Sequence, residues 1–236
     1  MSGSTAYEVR QCVTGISLLA NNFNRLFVTA WTSGADYLCI LHSDIGTSRP
    51  AGYGGSWLEL LVDRLRENNL AALSAVVPIK SMDGLTSTAL QLRKDSPHVL
   101  RRLSMQELHR LQDKVVRRHN LCDLFDISRD EAGALYINTG TLAIDLRGFD
   151  WAGARWPGFQ ITDYLAWNTN HVPMAYVDPE DWGFSRWLHQ EGWPYAATKE
   201  LIIEHHGEMA FSSGGNWGAE KDSLPPVPSI ADYEAT

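Results

Sequence analysis

Asp36-Tyr-Leu-Cys-Ile-Leu-His-Ser-Asp44 holds a short apolar run that closes on an acidic residue. A run of this length between polar residues reads as a buried strand, with Asp44 at its carboxyl end. Ligands of open α/β sheets gather at that end. An aspartate there suits a divalent cation, and the cation in turn suits phosphates. The same residue also serves as a plain turn cap, so its meaning depends on what the rest of the chain brings to it.

On the amino-terminal side, residues 7–14 alternate well enough to predict a first strand ending at Thr14-Gly15. Residues 18–31 carry Leu18, Leu19, Phe23, Leu26, Phe27 and Ala30 at the spacing of an amphipathic helix. Beyond Asp44, a Gly- and Pro-containing loop (48–55) precedes a second helix marked by Trp57, Leu58, Leu60, Leu61 and Leu65. Residues 72–78 read as a further strand and 80–88 as a polar loop whose Thr86 and Ser87 offer hydroxyls to a ligand. Further on, 134–138, 142–146 and 200–205 read as strands and 179–190 as a helix. This alternation predicts an α/β fold, a Rossmann-type, mainly parallel sheet flanked by helices.

Residues 93–120 interrupt the alternation. Ser104-Met-Gln-Glu107 is a capping box with Leu103 and Leu108 as its staple. Met105, Leu108, Leu111 and Val115 then form one apolar stripe, so the segment reads as a helical insertion. It is also basic: residues 93–118 hold eight Lys or Arg against Asp95, Glu107 and Asp113, a local charge of about +5 in a chain of net −8. Arg101, Arg102, Arg117 and Arg118 are therefore candidate contacts to a polyanionic acceptor, the alternative being a solvated helix face.

The 236 residues, 44% hydrophobic and 20% charged, fit one catalytic-sized domain over 1–211 with a Gly-, Ser- and Pro-rich tail over 212–236. No apolar run reaches the roughly 18–20 residues of a membrane span. The opening Met1-Ser-Gly-Ser-Thr lacks the pattern of a signal peptide. Cys12, Cys39 and Cys122 lack metal-type spacing and read as reduced, mostly buried thiols, which together predicts a cytoplasmic protein.

Four features follow one another along the chain: the strand-end Asp44, the Asn138-Thr139-Gly140 turn, the Glu180-Asp181 pair opening a helix, and His205-His206-Gly207 closing a strand. In this order the chain resembles the nucleotide-sugar glycosyltransferases of the GT-A fold, family-2-like, over roughly residues 7–211. Residues 179–192, Pro-Glu-Asp-Trp-Gly-Phe-Ser-Arg-Trp-Leu-His-Gln-Glu-Gly, carry the closest single match. The resemblance implies transfer of a sugar, UDP-linked by family frequency, to an acceptor hydroxyl with Mn²⁺ or Mg²⁺ as cofactor. It implies Asp181 as the general base beside Glu180, and Asp44 with His205 or His206 as metal ligands. Donor contacts are implied at Thr14, Gly15, His42, Ser43, Thr86, Ser87, Asn138, Thr139 and Gly140.

Chemistry agrees with those assignments. A cation neutralises the charge that develops on a departing nucleoside diphosphate. Oxygen ligands suit Mg²⁺, and an added imidazole shifts the preference toward Mn²⁺. Strand alternation sends His205 and His206 to opposite faces, so at most one meets the metal. A carboxylate at the acceptor oxygen is typically worth about 10²–10⁴-fold as a base. Asp181 is equally a normal residue for a first helical turn. Trp182, beside it, is the aromatic residue best placed to stack on an acceptor.

Two departures stand out. The family's Asp-x-Asp reads His42-Ser43-Asp44, with a histidine in place of the first acid, and His42 faces either the nucleotide or the core. Only some 36 residues precede the strand, too few for the family's usual base-recognition unit. The acceptor stays open between a modified base of nucleic acid, as in phage-type DNA-base glycosyltransferases, and a saccharide. Two other functions compete: a sugar nucleotidyltransferase, which should carry a Gly- and Lys-rich loop that Thr14-Gly-Ile-Ser lacks, and a non-catalytic carbohydrate-binding module.

Overall fold

A computed structural model describes residues 7–15, 18–48, 53–167, 171–207, 210–215 and 217–218. In chain order its elements are α1 (Leu19–Thr32), β1 (Tyr37–Leu41), β2 (Ile45–Ser48), α2 (Trp57–Glu67), β3 (Ala72–Ala75), β4 (Leu85–Arg93) and β5 (Ser96–Ser104). They continue with α3 (Met105–Arg110), β6 (Val115–Val116), α4 (Arg118–Phe125), β7 (Leu135–Tyr136), β8 (Thr141–Asp145), β9 (Thr162–Trp167) and β10 (Pro173–Asp178). The last are α5 (Glu180–Gln190), β11 (Tyr195–Thr198), β12 (Ile202–His206) and β13 (Ala210–Ser212).

The Rossmann-type, mainly parallel sheet expected from the sequence does not form. The strands make four sheets, and β3–β11 is the single parallel pair among them. The central sheet has the order β1-β8-β3-β11-β6. Its strands β1 and β3, which alternation read as successive parallel neighbours, are separated by β8 running antiparallel to both. The reason is physical. An apolar run such as Thr141-Leu-Ala-Ile, buried at every position, requires cover on both faces but is indifferent to the direction of its neighbours.

Side chains of each central strand divide between two cores. Leu38, Ile40, Leu142 and Ile144 point toward Phe23, Leu121, Phe125, Phe184 and Leu188, on α1, α4 and α5. Leu73, Ala75, Ala143 and Ala196 point toward Leu60, Leu61 and Leu65 of α2. Helices thus cover both faces, and each fully buried leucine of α2 contributes about 1.5–3 kcal/mol of transfer free energy. Trp151, Trp156, Trp187 and Trp193 pack with Phe27 and Phe184 into the first core, so most of the tryptophan-rich region is structural.

The helical insertion expected over 93–120 is also corrected. Much of it is strand: β4 and β5 form a long hairpin, joined by β7 into a three-stranded sheet. The capping box forms as read, with the Ser104 hydroxyl accepting from Glu107 N and Glu107 accepting from Ser104 N. The helix it starts ends at Arg110, because Leu111 is extended and the Lys199 ammonium binds the carbonyls of Leu108 and Leu111. No strand forms over residues 7–15. Within the expected tail, Ser213 exchanges hydrogen bonds with Ile203, and the Trp217 indole donates to Ser212 O. Residues 219–236 lie outside the described residues. The three cysteines are free: Cys122 is buried, Cys39 half-buried and Cys12 exposed.

Candidate functional site

β1 ends at Leu41, and His42-Ser43-Asp44 turns the chain into β2. β2 leaves the central sheet and pairs with β12 in a three-stranded sheet, β13-β12-β2. Register Glu204↔Gly46 and His205↔Ile45 brings the far end of the chain alongside the Asp44 turn, where His206 N donates to Asp44 O at 2.8 Å. His205 Nε2 then lies 3.4 Å from Asp44 Oδ2. Its other ring nitrogen, Nδ1, is 2.8 Å from Pro78 O. A carbonyl accepts only, so Nδ1 carries a proton there and Nε2 is the ring atom turned toward the carboxylate. His206 points the other way, exposed beside Glu204, as strand alternation requires.

Lys80 completes this cluster. Its ammonium donates to Asp44 Oδ2 at 2.6 Å. Burial alone would raise the Asp44 carboxyl, but Lys80 and His205 hold it below the usual carboxylate range. Among the described residues no three His, Cys, Asp or Glu side chains are grouped to hold a metal. Asp44 and His205 bring one oxygen and one nitrogen together, two donors that could hold the expected cation. A Mn²⁺ or Mg²⁺ ion held there would need its remaining ligands from outside the protein.

His42 faces the core rather than solvent. Its ring stacks on Phe23 at 5.2 Å, and its Nε2 is buried with no hydrogen-bond partner among the described residues. Burial lowers its affinity for a proton, against the charges of Asp44 and Glu180, so the ring stands neutral between those two carboxylates. The Asn138-Thr139-Gly140 turn packs on the same spot. A Cβ at Gly140 would come within 2.6 Å of both Asn138 Oδ1 and Ile45 Cδ1, so any other residue would require those two side-chain ends to shift. Thr139 donates to Glu180 Oε1 at 2.9 Å in the interior. The four features read from the sequence are thus linked: Asp44 to His205, and His42 with the 138–140 turn to Glu180.

The first turn of α5 joins this cluster to a second one. Asp181 follows Glu180, and burial, helped by the Glu180 charge, pushes its carboxyl up to about 7 despite the Trp182 amide and the Arg102 guanidinium. Arg102 lies opposite Ala89, which lies opposite Tyr136, in one row across β5-β4-β7. Trp182 stacks on Tyr136 at 5.1 Å and 8°, with Arg102 5.9 Å over its ring. His98 extends the aromatic surface to Tyr176 and Tyr164 of the β9–β10 hairpin.

Other sequence-derived positions fall elsewhere. Thr86 and Ser87 lie in β4, where their hydroxyls donate to Leu103 O and Val77 O. Thr14 donates to Asn22, no described residue lies within 4 Å of where a Cβ on Gly15 would sit, and Ser43 is exposed. Arg101 pairs with Glu107 and covers the Phe125 ring. Arg118 binds carbonyls of Arg129, Ala132 and Gly133, and Arg117 binds Asn68. Arg117 also lines a polar cleft of about 670 Å³ with Arg64, Lys114 and Glu200, remote from Asp44 in its lining. No helix among the described residues is long and apolar enough to cross a membrane. No protein-family model matches the chain, and no curated protein matches it.

Proposed function

We propose that the protein is a divalent-cation-dependent glycosyltransferase that moves a sugar from a nucleotide-sugar donor, UDP-linked, to an acceptor hydroxyl. One observation carries the reading: the turn of Asp44 and the strand of His205 meet, and Glu180-Asp181 links their cluster through His42 to an aromatic surface. The first cluster suits the donor's diphosphate and the second an acceptor. Asp44 and His205 would hold the cation, which when bound supplies charge neutralisation at the diphosphate. Glu180, tied to Thr139, orients the first turn of α5. Asp181 takes the proton of the acceptor hydroxyl; a carboxyl poised near 7 is matched to that task near neutral pH. The Trp182 face carries the acceptor.

The acceptor we favour is a saccharide or other small hydroxyl compound. Arg101, Arg117 and Arg118 each hold an intramolecular partner, so a nucleic-acid phosphate would compete with contacts already made. The deciding experiment follows nucleotide release from a panel of UDP-sugars with and without Mn²⁺, for the wild type and Asp44→Ala. Metal-dependent release that Asp44→Ala abolishes supports the reading. Absence of both release and metal-dependent UDP binding in the wild type sinks it.

A further inference from the structure

We propose that Lys80 is a built-in counter-ion: it holds the cation position while the site is empty and passes to the donor's diphosphate when metal and nucleotide load together. This inference rests on the transferase reading of the Asp44–His205 pair and adds to it a residue that the sequence left in a featureless polar loop.

One oxygen carries the argument. Asp44 Oδ2 accepts the Lys80 ammonium at 2.6 Å and is also the atom 3.4 Å from His205 Nε2. A cation bridging Asp44 and His205 therefore arrives where a positive charge already stands, and the two repel. The lysine is built to leave. Its side chain is about a third exposed (36%), and four flexible carbons end in a compact, well-hydrated charge. Its stem lies over Gly207, where a Cβ would sit 3.2 Å from Lys80 Cδ, so the bare strand end gives the stem a floor. The base of the loop is held: Ser81 N donates to Ile79 O at 2.8 Å, and Ile79 N to Leu85 O at 3.0 Å. The head moves while its anchor stays.

A nucleoside diphosphate brings the missing anionic charge. Once it is present, the metal takes Asp44 and His205, and the displaced ammonium finds phosphate oxygens as a point-charge partner. Metal and diphosphate then bind cooperatively, because each relieves the repulsion the other would face, and that coupling is reciprocal.

The test uses Mn²⁺ alone, UDP alone and both, with free Mn²⁺ read by electron paramagnetic resonance, on the wild type, Lys80→Met and Asp44→Ala. Methionine keeps an apolar stem over Gly207, so loss of fold is not expected, and Lys80→Arg serves as the charge-retaining control. Lys80→Met should bind Mn²⁺ alone about tenfold more tightly and UDP at saturating Mn²⁺ about tenfold more weakly, with the metal–UDP coupling reduced accordingly. Lys80→Arg should keep the coupling. Mn²⁺ binding that Asp44→Ala abolishes but Lys80→Met leaves unchanged overturns the role of Lys80 while the cation site stands. Absence of Mn²⁺ binding in the wild type and Lys80→Met, with or without UDP, overturns both readings.

Discussion

Two adjacent carboxylates at the start of α5 meet opposite fates. Glu180 is buried and takes the Thr139 hydroxyl. Asp181 keeps partial access to solvent, with its carboxyl raised to about 7 by burial and by Glu180. A base must be ionised to work, so turnover should rise with pH through about 7 and level above it. Asp181→Asn should lower the maximal rate by about 10²–10⁴-fold and remove that rise, while Mn²⁺-dependent UDP binding persists. A pH–rate profile of both proteins decides the point, and an unchanged profile in Asp181→Asn removes Asp181 from the chemistry. The stability consequence has a definite sign. The folded protein holds this proton above the pH where an unfolded aspartate, of pKa about 3.9, loses it. The stabilisation is complete below about 4 and is lost as pH rises through about 7. Melting temperatures of wild type minus Asp181→Asn should therefore fall across that window. Asp44, Asn138–Gly140, Glu180–Asp181 and His205 stood out in the sequence because each lies at the end of a strand or the start of a helix, and the fold brings those ends together. Lys80, Thr86 and Ser87 did not: a polar stretch without periodicity looks the same whether its hydroxyls face a ligand or the carbonyls of Val77 and Leu103.

At the scale of elements, the junction of β5 and α3 shows how local signals and tertiary contacts share control. Glu107, buried at 5% exposure, accepts from Ser104 N and Oγ at 3.0 Å and from Arg101 at 2.6 Å. Glu107→Ala removes all three partners and leaves the half-buried Arg101 guanidinium over the Phe125 ring without its carboxylate. Losing the cap and this half-buried pair together should cost about 2–3 kcal/mol. Ser104→Ala, which removes only the cap, should cost about 1 kcal/mol. Chemical denaturation distinguishes them, and equal costs would mean that Arg101 gains nothing from its partner. The capping box was readable from four residues because its chemistry is complete within them. Where the helix ends was not readable. The apolar stripe continues through Leu111, but a lysine from the far side of β11, Lys199, takes the carbonyls on which a longer helix would close.

For the whole molecule, burial was legible and direction was not. The apolar runs at 37–41, 72–75 and 141–145 announce strands covered on both faces, and α2 on one side with α1, α4 and α5 on the other supply that cover. Nothing in such a run says whether its neighbour is parallel, so β8 between β1 and β3 was invisible to patterning. The arrangement still sends β1, β3 and β11 in one direction, which is why Asp44 and Lys80 both follow the carboxyl ends of strands. The β9–β10 hairpin is a different kind of object. Among the described residues it pairs only with itself, Leu165 and Val177 on it are exposed at 68% and 52%, and it meets the body through Tyr164 and Tyr176 on His98 and through Asp178 on Arg186. A lone two-stranded ribbon is marginal in water, whereas β8 loses its amide protection only with the whole sheet. Native-state hydrogen exchange should therefore find the β9–β10 amides exchanging by local opening, insensitive to small amounts of denaturant, and β8 amides exchanging by global unfolding. Tyr176→Ala should speed exchange in the hairpin while leaving β8 almost unmoved. If instead both regions slow and quicken together, the hairpin is part of the cooperative core, and an aromatic surface that opens independently beside Asp181 would have to be given up.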